Sequence, residues 1–160
     1  MALIVAAQYV TRGAGQLVTG SCVNLILAVA AAICSLGWAL AVAILSPLCA
    51  FLLGIGPALI LLVPAIALGN GLYVVILSLT ARKFGTAKGG AVLGVGAASV
   101  VKCGTLWGVI VGLLLPMMAL PDAKAAALAA TFSWPQLVTA LVGGTVSLLV
   151  IPTLQKAIRK

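Results

Sequence analysis

Residues 89–116 read GGAVLGVGAASVVKCGTLWGVIVGLLLP. The run is apolar and long enough to cross a bilayer, for which about 20 helical residues suffice, yet Lys102 lies near its middle. A lysine at that depth costs about 3 kcal/mol on insertion scales and more in simulations. Such a charge normally faces a protein interior, a wet cavity or a bound anion. Gly104, Gly108 and Gly112 recur at four-residue spacing on the same helix, a small-residue face on which another helix can pack closely. One face therefore reads as packing and another as function, with the rest of the chain as housing.

Working outward, hydrophobic residues fill 64% of the 160 positions, charged residues only 6%, and mean hydropathy is +1.37. A soluble domain of this composition would leave large apolar patches in water, so an integral membrane protein is expected. The apolar runs are long rather than alternating with period two, which favours helices over a barrel. Arg12, Gly13 and Gly15 break the first run, Gly37–Trp38 the second, and the GIGP turn at 54–57 the third. The expected fold is all-α, one compact bundle of six transmembrane helices over residues 1–160, with spans near 1–10, 17–36, 38–53, 58–81, 90–115 and 134–155. The first span is only half a crossing, a short or tilted helix or one that starts upstream. No basic region precedes it, which reads against a cleaved secretory signal. An alanine-rich segment after Asp122 reads as a surface helix, and Pro47 and Pro64 as kinks inside their spans.

Charge placement tests that count. With six spans, Arg82, Lys83, Lys88, Lys156, Arg159 and Lys160 share one face, while Arg12 and Lys124 lie opposite. The positive-inside rule then puts both termini in the cytoplasm. Trp38 and Trp134 fall at span ends, where amphipathic rings usually sit. The net charge of +8 has no aromatic interleaving or basic stripe, so nucleic acid is not the expected partner.

The chain has no histidine, one acid and no phosphate loop, so the usual acid–base, metal and nucleotide machinery is missing and no enzyme, metal or cofactor is expected. Ser99 and Lys102 are one turn apart but lack a supporting shell for Ser–Lys catalysis. Cys22, Cys34, Cys49 and Cys103 sit within apolar runs without a CxxC pair and read as small buried residues. What remains is a polar set at membrane depth: Lys102, Asn24 and Asn70, with Gln16, Trp134, Gln136 and Thr139 towards the outer face. Around one small solute, Lys102 would hold a carboxylate or phosphate, the amides would give directional hydrogen bonds, and Trp134 or Trp107 would stack on a ring. Plainer roles compete. Asn24 and Asn70 suit interhelical hydrogen bonds, Ser133 and Gln136 match an S-x-x-Q capping box, Tyr73 suits buried packing, and Lys102 can snorkel towards the cytoplasm.

Several stretches together carry a family resemblance: Ala2 and Ala6 in the first helix, QLVTGSCVN at 16–24, SPLCAFLLGIGP at 46–57, VPAIALGNGLYV at 63–74 and FSWPQLVTALVGG at 132–144. The chain resembles the substrate-binding S components of energy-coupling factor (ECF) vitamin transporters over nearly its whole length. The resemblance implies a six-helix membrane protein that captures a vitamin or related micronutrient on the outer side. It implies docking on a T component and two ATPase subunits that supply energy, with Ala2 and Ala6 as the docking surface. The alternatives are a self-contained channel or secondary permease, assembled through the glycine face, and a non-catalytic structural subunit of a larger membrane complex.

Overall fold

A computed structural model describes residues 1–84 and 88–158, the side chain of Lys88 excepted. Every regular element among them is helical: α1 Ala2–Thr11, α2 Gln16–Ile33, α3 Leu36–Leu52, α4 Leu62–Phe84, α5 Lys88–Leu106, α6 Leu115–Met117, α7 Asp122–Thr131 and α8 Trp134–Ile158. A π-helical segment, Trp107–Leu114, joins α5 to α6 in one continuous rod. Four helices are long and apolar enough to cross a membrane: α2, α4, the α5–α6 rod and the helix ending in α8. α1 and α3 are apolar but shorter. The ten residues of α1 rise about 15 Å, half of a hydrocarbon core.

The breaks follow backbone chemistry. Gly15, at φ +85°, precedes α2. Cys34 and Ser35 are extended and part α2 from α3, so Gly37 falls within the first turn of α3 rather than at the expected break. α3 ends in a Schellman motif: Gly54 takes φ +66°, its amide donates to the Phe51 carbonyl, and the Ile55 amide donates to the Ala50 carbonyl. The chain then folds back so tightly that a Cβ on Gly56 would lie 2.7 Å from that of Ala50. This turn consumes 53–61, which delays α4 to Leu62. Pro64 is thereby in the first turn of α4, where its missing amide costs no helical bond, and the kink expected there has no basis. Pro47 does lie inside α3, and Pro152 inside α8.

α2, α4, α5 and α8 form the central four-helix core; α3 packs on α4 and α1 on α2. α2 and α8 approach closely, and Gly143 leaves no room for a Cβ against the backbone of Ser21 and Leu25. One apolar cluster centres on Leu27, Tyr73, Val74 and Val95; a second, around Leu62, Leu106, Ile110 and Phe132, lies towards the α7 end. The outward faces carry Leu3, Val10, Leu68, Leu93, Leu113 and Leu149, a surface suited to lipid. Gly104, Gly108 and Gly112 are exposed, and no helix among the described residues packs on them. The expected packing face is thus unused within the chain. Arg82, Lys83 and Lys156 lie in the last turns of α4 and α8; Arg159, Lys160 and the centre of the basic loop lie outside the described residues.

Candidate functional site

Lys102 is 3% exposed. Its Nζ donates to Asn24 Oδ1 of α2 at 2.5 Å and to Asn70 Oδ1 of α4 at 2.6 Å, and lies 5.3 Å from the centre of the Tyr73 ring. Each amide is turned by a bond on its other side. Asn24 Nδ2 donates to Thr139 Oγ1 of α8 at 3.3 Å, and the Thr139 hydroxyl donates in turn to the Gln136 carbonyl. Asn70 Nδ2 donates to the Ala43 carbonyl of α3 at 3.5 Å. The lysine is therefore the hub of a network reaching five helices. The Tyr73 hydroxyl closes the layer beneath by donating to the Ala140 carbonyl at 3.0 Å.

Both hydrogen-bond partners of the ammonium, the Asn24 and Asn70 amides, are neutral, as is the Tyr73 ring beside it. The chain's one acid, Asp122, opens α7 and pairs with no cation among the described residues. An ammonium has three donors, of which two are taken by amide oxygens. The third has no protein acceptor among the described residues. Ser99, one turn away, does not bond the lysine, and its buried Oγ has no partner there.

A cavity of about 300 Å³ opens over the lysine. Asn24, Asn70 and Lys102 form its polar floor; Leu62, Ile66, Leu106 and Phe132 form an apolar wall; Gln8, Gln16, Thr19, Thr131 and Gln136 form the polar remainder. Its roof comes from the Ile55–Ala58 part of the Schellman turn and from Leu128 of α7. This size and mixture suit a small organic molecule rather than a bare ion.

Of the residues singled out in the sequence, Lys102, Asn24, Asn70, Gln16 and Gln136 meet at this cavity. Thr139 stands behind Asn24, fully buried, and orients it instead of touching the cavity. Trp134 is 64% exposed and does not line the cavity, and Trp107 is likewise exposed, so neither provides a stacking face there. The S-x-x-Q capping box does not form. Ser133 Oγ bonds the Ala129 carbonyl, and Gln136 Nε2 donates to the Thr131 carbonyl at 3.1 Å. Snorkelling of Lys102 is also absent, since its amine meets the two asparagines. Sequence reading missed Gln8, whose buried Oε1 has no partner among the described residues, along with Pro47 and Thr19. The position of Gln8, at the end of α1 facing α2, was its only available signal.

Fold and site together define an apolar helical core that encloses a polar, cation-floored chamber at one end. No family model, curated protein or solved structure matches the chain.

Proposed function

We propose that this chain is the substrate-capture (S) subunit of an ECF-type importer: a six-helix membrane protein of a prokaryotic cytoplasmic membrane, both termini inside. It binds a small anionic organic micronutrient, such as a vitamin or precursor, from the outside. It then delivers this solute with a T component and two ATPase subunits. The observation that carries the reading is the uncompensated Lys102 ammonium at the floor of a mixed polar and apolar cavity, with one donor unspent among the described residues. A carboxylate or phosphate supplies the missing charge, and the apolar wall and amide rim take the neutral body. Ala2 and Ala6 are exposed on α1, which suits close approach of a partner helix.

The test is a thermal-shift and native mass spectrometry screen of the purified chain against vitamins and precursors. The reading expects a carboxylate or phosphate compound among the hits. It expects Lys102→Ala to weaken that hit by about 10- to 100-fold, the worth of a charge-assisted hydrogen bond. Unchanged binding by Lys102→Ala would remove the charge-pairing step.

The exposed Gly104, Gly108 and Gly112 line favours a second reading, an oligomeric channel or secondary permease. Solute flux into proteoliposomes holding this chain alone, without ATP, would decide for it.

A further inference from the structure

The end of the four-helix core away from the lysine holds a second cavity, of about 390 Å³, between α2, α4, α5 and α8. It is open because small side chains meet there, Ala28 and Ala32 of α2 facing Ala81 of α4 and Ala91 of α5. Pro152 also interrupts the hydrogen-bond ladder of α8 at this level. Its two hydroxyl groups are spent on their own helices: Thr80 donates to the Ile76 carbonyl at 2.8 Å and Ser147 to the Gly144 carbonyl at 2.6 Å. The interior is thus mostly apolar, with no hydroxyl donor left over, and a cavity of this kind favours an apolar guest.

The rim is the opposite. Arg82 and Lys83 follow the lining residue Ala81 in the last turn of α4. Lys156 stands one turn beyond Pro152 in α8. Asp122, the sole acid, belongs to α7, whose Leu128 roofs the other cavity. A greasy slot with a cationic lip complements a molecule with a hydrocarbon tail and an anionic head. Basic pockets between transmembrane helices on the cytoplasmic side hold such headgroups.

We propose that this crevice binds an anionic diacyl phospholipid of the inner leaflet, one acyl chain in the slot and the phosphate at the rim. The proposal rests on the bilayer placement given under the proposed function, but not on what the outer cavity captures.

The purified chain in detergent is incubated with phosphatidylglycerol or phosphatidylcholine of identical acyl chains, then followed by native mass spectrometry and thermal unfolding. Phosphatidylglycerol is expected to survive delipidation and raise Tm, with a preference over phosphatidylcholine of about tenfold or more, given roughly 1 kcal/mol per basic residue at a membrane surface. The Arg82→Gln/Lys83→Gln/Lys156→Gln variant is expected to lose that preference at unchanged lipid-free Tm. Ala91→Leu narrows the slot and is expected to lose retention. A short-chain phosphatidylglycerol tests the same point on the unaltered chain, and it too is expected to be lost. Equal retention of the two lipids, a preference that survives neutralisation of the rim, or an equal Tm rise from inorganic phosphate alone overturns the proposal. A chain that stays monodisperse without detergent would instead sink the bilayer placement itself.

Discussion

Asn70 donates its side-chain amide to the carbonyl of Ala43 on the neighbouring helix. That carbonyl is available because Pro47, four residues further along α3, has no amide hydrogen to return to it. The proline therefore creates an acceptor, the acceptor orients the asparagine, and the asparagine presents its oxygen to Lys102. A backbone defect in one helix sets the direction of a side chain in a second and holds a charge on a third.

Pro47→Ala gives α3 an amide that competes with Asn70 for the Ala43 carbonyl. Thermal stability in detergent is expected to hold or rise, because alanine is the better helix former. Affinity for the solute found by screening is expected to fall about fivefold, the loss of roughly one hydrogen bond's worth of orientation. A parallel fall in stability and affinity would mean that the proline is needed for the fold and not for the site.

Asn24→Asp places a carboxylate where an amide oxygen now meets the ammonium at 2.5 Å. The Thr139 hydroxyl can turn to donate to it, so folding is expected to survive. With the floor neutralised, an anionic solute is expected to bind more than about tenfold more weakly, while a neutral analogue is unaffected. Isothermal titration with the acid and its amide separates these outcomes; unchanged binding of the acid would mean that the lysine charge is not what the solute reads.

Gly143→Ala tests the α2–α8 seam. The added Cβ would lie 2.6 Å from both Leu25 N and Ser21 O, and backbone atoms cannot swing aside. A loss of roughly 1–3 kcal/mol is expected, the usual range for overpacking, seen as a lower Tm in detergent. Gly104→Ala, in open space, is the control and is expected to leave the monomer's Tm unchanged.

Cys34 is exposed just beyond α2, at the end of the core that carries the basic residues. The proposed orientation, termini inside, predicts that a membrane-impermeant maleimide labels it in inside-out vesicles and not in intact cells. Ala123→Cys, on the exposed first turn of α7, is expected to label in intact cells, with Cys34 replaced by Ala in that variant. The reverse pattern would invert the orientation and put the lysine cavity on the inner side.

Much of the helical layout was legible in the linear chain because its cause is local. An apolar run must satisfy its own backbone in a bilayer, and glycine and proline interrupt it where they stand, as at Gly15 and Gly54. Lys102 was legible for the same reason, since one ammonium inside 28 apolar-rich residues is anomalous wherever its neighbours lie. Helix starts were less so. The Cys34–Ser35 break and the late start of α4 depend on how each turn packs, and Pro64 changed from a kink to a first-turn residue for that reason. The partners of the lysine were visible only as polar residues in an apolar setting. Which of them face it is a question of helix rotation, and folding sent Asn24, Asn70 and Gln8 inward, Trp134 outward and Thr139 behind. Composition and order prescribe which segments are helical and where a charge is stranded. Only the packing of those helices, through contacts between residues as distant as Lys102 and Asn24, decides what that charge meets, because such contacts leave no trace in local propensity.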